Sequence, residues 1–387
     1  MESSGVKLNK AAFVDIDAAE VNFHLTRKIT GKKRIIAVVK ANAYGHGAVR
    51  LSQLYSELGA DMLAVSSVDE ALELRRGGVS LPVIILGYTP VEFASVLCDC
   101  KLIQCIFSEE YAVALSASAV SQCCMVSAHI KIDSGMGRLG FGTGESDACA
   151  IIRCLKLPRI SYEGIFTHFS SSDKAESGRE YTGMQSYRFS RLLSFLSDAG
   201  FEFPLVHSSN SGAILDHSQT VRESCAVRAG IMLYGYHPSA LVRRRLPLIP
   251  VMSLKCSIAQ IKTVHKGYKI GYGGRFTAPQ DMRIATLPIG YADGIPLGIS
   301  RVFISDTPCS VVGGVCMDQM MVDVSDVIVT LQDDVTVFGK GESQTADELS
   351  ADAGIITYSA LCGISRRVPR VYTKGGSECD RVNYLGV

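Results

Sequence analysis

The sequence predicts an α/β fold: a (β/α)8 barrel of the TIM type followed by a second, mostly β domain. Three observations carry this. Up to about Arg245 a short apolar or β-branched run, a polar turn and a longer segment of helical periodicity recur eight times. The length of that stretch matches the roughly 250 residues such a barrel occupies. After Pro247 and Pro250 the helical periodicity gives way to closely spaced strand-like runs broken by Gly and Asp.

The eight runs are residues 35–39, 62–65, 83–86, 103–107, 128–132, 164–167, 205–207 and 227–233. Intervening segments such as 68–76 and 188–199 place apolar residues at spacings of three and four, the signature of a helix with one buried face. Periodicity cannot show that a sheet closes, so an open doubly wound sheet is the structural alternative. Beyond residue 248, strands are expected over 254–264, 283–289, 301–304, 309–324 and 334–338, with a helix over 345–353. The expected domains are therefore 1–247 and 248–387. The triplet Arg243, Arg244 and Arg245 at the boundary reads as a solvated linker.

The 387 residues are 47% hydrophobic and 20% charged, and 39 Lys+Arg balance 38 Asp+Glu. That composition gives no reason to expect disorder or a nucleic-acid surface. No apolar signal region follows Met1 and no run of about 18 apolar residues occurs, so a cytoplasmic protein without membrane contact is expected. The 13 cysteines lack CxxC pairs and metal-ligand spacing, which suggests reduced thiols and no metal site.

In a barrel of this kind the chemistry lies at the C-terminal strand ends. Lys40 falls at the first such end, Lys131 and Arg138 flank the loop after the fifth, and His168 follows the sixth. His207, Asn210 and Ser211 follow the seventh, and Arg228 and Gly230 lie in the eighth. Taken singly, each has a plain structural reading: a snorkelling lysine, a serine N-cap, an arginine in an ion pair. Together they suggest more. Desolvation favours the neutral amine that Schiff-base formation with an aldehyde requires. Ser211 at a helix start and the glycine of VRAGIMLYG offer donors to a phosphate. A buried arginine could face a ring nitrogen. Pyridoxal 5'-phosphate supplies aldehyde, phosphate and ring nitrogen at once.

The segment VVKANAYGHG resembles the cofactor-lysine motif of the alanine racemases, the fold type III pyridoxal-phosphate enzymes. KIDSGMGRLGF, IFTHFSSSD, VRAGIMLYG, IGYGGRFTA, IGYADG, GGVCMDQM and ISRRVPR resemble that family in its order, so the likeness spans nearly the whole chain. The resemblance implies a homodimer with shared active sites that interconverts L- and D-alanine and supplies D-alanine for peptidoglycan. It implies that Lys40 carries the cofactor and acts on the α-proton of D-alanine, while Tyr272, entering from the other subunit, acts on that of L-alanine. Tyr44, Ser211, Gly230, Ile231 and Tyr358 match positions around the phosphate, and Arg228 matches the partner of the pyridine nitrogen. Arg138 matches the residue facing the ring hydroxyl and substrate carboxylate. Tyr291, Met317 and Asp318 match the substrate pocket, the last two from the partner chain. Lys131 matches a lysine that is often carbamylated.

Racemisation needs one acid/base group on each face of the α-carbon, and each contributes about 10²–10⁴-fold. His168 is expected to link Tyr272 to Arg228, with His207 buttressing the arginine. The chain departs from the family pattern at Phe13, where a Trp is usual and only a modest core change is expected, and at Gly314 and in the segment around Leu297, where basic residues are common and altered substrate access is expected. A serine or broad-specificity amino-acid racemase, a non-catalytic pyridoxal-phosphate carrier and a lysine aldolase are the competing readings.

Overall fold

The computed structural model describes residues 8–341 and 343–386. The chain forms two compact units. One comprises Glu20–Ala43 and Ala48–Leu248; the other joins an N-terminal stretch ending at Ala19, the short Tyr44–Gly47, and a C-terminal stretch beginning at Ile249.

The first strand, β1 (Lys10–Asp15), belongs to the second unit. The eight that follow are β2 (Arg34–Val38), β3 (Met62–Val65), β4 (Val83–Ile85), β5 (Leu102–Ile106), β6 (Val126–Lys131), β7 (Ile160–Phe166), β8 (Leu205–His207) and β9 (Ala226–Ala229). Each pairs in parallel with the next, and β2 pairs with β9, Ile35 opposite Val227, which closes the barrel and excludes the open sheet. Strands such as β3 and β5 are buried along their whole length, as expected for parallel strands covered on both faces. Surrounding helices start at polar caps: the Ser67 and Ser108 side chains accept from the N–H of Glu70 and Tyr111.

The expected strand over 227–233 stops at Ala229. Gly230 (φ −119°, ψ −107°) breaks it, and Ile231–Tyr234 form a 3-10 turn that ends at Gly235 in the left-handed region. Those residues are apolar because they are buried, and burial alone does not specify a strand.

The second unit holds β10 (Met252–Cys256), β11 (Gln260–Val264), β12 (Lys269–Ile270), β13 (Phe276–Thr277), β14 (Met282–Leu287), β15 (Arg301–Ile304), β16 (Thr307–Val312), β17 (Met320–Asp323), β18 (Val335–Phe338), β19 (Arg370–Lys374) and β20 (Ser377–Val382). All except the β12–β13 hairpin join one ten-stranded sheet, in the order β11-β14-β17-β16-β15-β18-β10-β1-β19-β20. The expected strands 254–264 and 309–324 are each two strands that occupy different places in it. The segment of β1, assigned to the barrel by the 1–247 boundary, pairs antiparallel with β10 and parallel with β19; Ala11, Ala12 and Val14 are buried there. Val264, Ile270, Ala278, Met282, Ile284 and Val312 form a core against which Phe276 and Met321 pack. The helix expected over 345–353 is Ala346–Ala353, and it opens with a capping box in which Thr345 and Glu348 exchange hydrogen bonds.

Among the described residues no helix is long and apolar enough to cross a membrane, and no disulfide or metal-binding cluster is present.

Candidate active site

Lys40 lies just beyond β2 and opens a turn in which Ala41, Asn42, Ala43 and Tyr44 all have φ between 51° and 55°. Four consecutive non-glycine residues in the left-handed region are strained, at about 1–2 kcal/mol each. Their neighbours hold them: the Ala41 N–H donates to Glu70 Oε1 (2.7 Å), and the Ala48 N–H to Asn42 Oδ1 (2.9 Å). The glycines of VKANAYGHG are required by packing. A Cβ on Gly45 would strike the Leu361 carbonyl, and one on Gly47 (φ +102°) the Tyr372 hydroxyl.

Arg228, in β9, is 3% exposed. Its Nη1 donates to His207 Nδ1 (2.7 Å) and His207 O (3.1 Å); its Nη2 donates to Thr167 O (2.7 Å), Ser208 O (2.8 Å) and His168 Nδ1 (3.3 Å). None of these bonds uses Nε, and no carboxylate pairs with the guanidinium among the described residues. Burial lowers its pKa from the usual arginine value. Because a guanidinium can only donate, His168 and His207 must each accept through Nδ1 and carry their proton on Nε2. Burial first, then the Arg228 charge, holds both well below the ordinary histidine pKa, so both are neutral.

Lys131 ends β6, is 5% exposed, and sets its Nζ 4.7 Å from the centroid of the Phe166 ring, whose plane stacks on His207. Burial, then the charges of Arg228 and Arg138, pull its pKa down to about 7. Arg138 is exposed at the end of a loop built on Asp133. The Asp133 carboxylate accepts from the N–H groups of Gly135, Met136, Gly137 and Arg138 at 2.6–3.1 Å. Burial opposes its ionisation, but those four donors prevail and hold Asp133 below the usual carboxylate range.

Ser211 opens the helix Ser211–Asp216, and Asn210 is the N-cap, its Oδ1 accepting from the Ala213 N–H (3.0 Å) and Ser172 Oγ (2.7 Å). Asn210 Nδ2 donates to Phe169 O (3.1 Å), so the Asn210 side chain is engaged in structure rather than turned to a ligand. Ser211 instead accepts from the Gly230 N–H (3.0 Å), which brings the Ser211 hydroxyl beside the Gly230–Ile231 turn. A hydroxyl that accepts there still has a proton to donate.

The second unit holds two further groups. Tyr44 and Tyr358 approach with ring centroids 5.9 Å apart; burial, then Tyr358, raises the Tyr44 pKa, leaving a neutral phenol. Tyr272 stands at the tip of the β12–β13 hairpin, 80% exposed, in a turn that Gly271, Gly273 and Gly274 make possible with φ between 58° and 75°. With Met317 and Asp318 it lines an open cavity of about 900 Å³. Tyr291 joins this group because its N–H donates to Cys316 O and that of Ala292 to Met317 O, both at 3.0 Å. Asp318 Oδ1 accepts from Arg367 Nη2 (2.7 Å). Sequence reasoning assigned no role to Arg367 or to His129, although ISRRVPR and the barrel-strand position two residues before Lys131 were both visible. Met320 is fully buried and Met321 packs on the sheet core, so both serve packing. A Cβ on Gly314 would meet open space, and Leu297 is 72% exposed.

Family models for the alanine racemase N-terminal and C-terminal domains match residues 14–238 and 251–372. The chain belongs to the alanine racemase family. It is 41% identical over 384 residues to an alanine racemase of Clostridium perfringens, covering 97% of this chain and 98% of that one. The structure of an alanine racemase from Bacillus anthracis with bound L-Ala-P superposes with a TM-score of 0.93 at 33% identity, covering 99% of both chains. A more distant structural neighbour, a histidine racemase from Leuconostoc mesenteroides, superposes at 0.87 with 26% identity, covering 96% of this chain and all of that one.

Proposed function

We propose that this chain interconverts L- and D-alanine, using pyridoxal 5'-phosphate carried on Lys40, with active sites completed by a second copy of itself. The reading places it in the cytoplasm, supplying D-alanine for peptidoglycan. The observation that carries it is the Arg228 cluster: a buried guanidinium, clamped through Nη1 and Nη2 by two neutral histidines and three carbonyls, with no bond described for Nε.

The donor set suits that cofactor. The Ser211 hydroxyl, held at the Gly230 turn by the Gly230 N–H, and the Ile231 amide would meet the phosphate, with the phenols of Tyr44 and Tyr358 as further donors. Arg228 Nε would face the ring nitrogen; although burial lowers the pKa of the guanidinium, it remains a much weaker acid than a protonated pyridine and would be a poor source of a proton for it. Held by such a donor, that nitrogen would remain an acceptor, which would restrain side reactions. When bound, the cofactor weakens the Cα–H bond of the amino acid by spreading the electron pair left behind.

The protein moves the protons. Lys40 would take or return the α-proton of D-alanine, and Tyr272 of the partner chain that of L-alanine. His168, its Nε2 proton fixed by the Arg228 contact, is set to donate to the Tyr272 oxygen. Arg138 would hold the substrate carboxylate, with Met317, Asp318 and Tyr291 bounding the far side of the pocket. Lys131, whose pKa is brought down to about 7, would be partly a free amine at neutral pH and so suited to attack carbon dioxide; loss of the amine proton would leave a carbamate anion to pair with Arg138.

Chiral chromatography of L-alanine, L-serine and L-histidine incubated with the cofactor-loaded protein tests this. Alanine is expected to racemise fastest. Faster serine or histidine turnover would reassign the substrate, and cofactor binding without any racemisation would withdraw the role of Tyr272 in favour of a carrier.

A further inference from the structure

The Arg228 cluster extends one residue beyond the groups named above. His129, in β6, is fully buried, and its Nδ1 lies 3.0 Å from His207 Nε2. His207 Nδ1 accepts from Arg228, so the proton on His207 Nε2 is donated to His129 Nδ1, and the proton of His129 resides on its own Nε2. One residue that cannot accept thus sets the direction of every bond from Arg228 to His129.

The backbone is shaped around this ring. Ala128 pairs with Tyr162 but His129 pairs with Gly164, so Glu163 is an extra residue in β7, a bulge that sets Gly164 opposite His129. A Cβ on Gly164 would lie 2.8 Å from His129 Cε1 and 2.9 Å from its Nε2, and 2.7 Å from Leu205 O, so only glycine leaves the imidazole its place. His129 Nε2 is buried without a hydrogen-bond partner among the described residues. An unpaired interior donor is unfavourable, and an apolar side chain would avoid it. What His129 gives in return is the acceptor that faces His207.

We infer that His129 is a positioning residue for Arg228: by accepting from His207 it holds that ring with its Nδ1 lone pair toward the guanidinium. The inference rests on the reading that Arg228 faces the cofactor ring nitrogen.

The first test needs neither cofactor nor turnover. In histidine-selective ¹⁵N-labelled protein at neutral pH, with signals assigned by their loss in His129→Asn and His207→Asn, both rings are expected to show a protonated Nε2 and a bare Nδ1. A protonated Nδ1 in either ring overturns the proposal. The second test uses loaded enzyme and L-alanine. It counts abortive turnovers, in which the amino group passes to the cofactor and alanine leaves as pyruvate, from loss of the visible cofactor band and from pyruvate released. His129→Leu, which removes the acceptor, is expected to raise abortive events per racemisation roughly tenfold, the factor equivalent to about 1.4 kcal/mol. His129→Asn, which retains an acceptor near the Nδ1 position, should restore most of the difference. An unchanged ratio in His129→Leu overturns the inference. Arg228→Gln separates the two failures: if it raises the ratio while His129→Leu does not, only the role of His129 falls, whereas an unchanged ratio in Arg228→Gln withdraws the ring-nitrogen reading as well.

Discussion

Replacing Lys131 with methionine, which keeps the length of the side chain and removes its charge, should change how stability depends on pH. In the folded chain burial, then Arg228 and Arg138, bring the lysine pKa to about 7, against 10.5 for an exposed lysine. Between those values the unfolded chain binds a proton that the folded chain does not. Stability of the natural protein therefore rises with pH in that window, by about 1.4 kcal/mol per pH unit. Below pH 7 the full penalty of the buried ammonium is present, about 5 kcal/mol over the interval. The ammonium–ring contact with Phe166 at 4.7 Å offsets about 0.5–2 kcal/mol of it. Lys131→Met should therefore be the more stable protein below pH 7, and its advantage should shrink by roughly 2.7 kcal/mol between pH 7 and pH 9. Urea unfolding of both proteins without cofactor, in buffers freed of carbon dioxide, measures this. A stability difference that stays constant across that range would refute the lowered pKa, and with it the neutral amine on which carbamylation of Lys131 depends.

Tyr272→Phe should lower racemisation by about 10²–10⁴-fold while the cofactor spectrum persists, and solvent exchange of the α-hydrogen should be lost for L-alanine more than for D-alanine. Retained exchange of L-alanine would remove Tyr272 from its role. Ser211→Ala leaves the Gly230 N–H without its acceptor, so a loss of about 1–3 kcal/mol in unfolding free energy is expected. The same variant should bind cofactor roughly tenfold more weakly, which an absorbance titration reads. Gly47→Ala forces a side chain into the left-handed region and against Tyr372. A loss of about 1–3 kcal/mol or more is expected in thermal unfolding, and an unchanged midpoint would contradict the packing described here.

Short β-branched runs bounded by turn residues made the eight barrel strands legible, because burial between the side-chain-filled barrel interior and the outer ring of helices leaves its mark on consecutive residues. The reactive side chains at the strand ends were legible too: Lys40, Lys131, His168, Ser211 and Arg228 all stand at or just beyond the C-terminal ends of the barrel strands. The roles of Tyr272, Met317 and Asp318 came from family resemblance, since a hairpin tip and an exposed loop carry no periodic signal of function.

Other features required the folded chain. Apolar pattern reports how deeply a residue is buried but not which strand lies beside it. Pairing of β2 with β9, and the recruitment of β1 between β10 and β19, join segments far apart in sequence. The left-handed turn after Lys40 takes in Ala41, Ala43 and Tyr44, which disfavour that conformation, as well as Asn42, which tolerates it, and it persists because hydrogen bonds from elsewhere in the fold outweigh local preference. Asn210 rather than Ser211 became the cap because Ser211 found the Gly230 amide across the barrel rim. The protons of His207 and His129 have no counterpart in sequence at all. They are set by a guanidinium that can only donate, and only tertiary structure brings it within hydrogen-bond distance of His207.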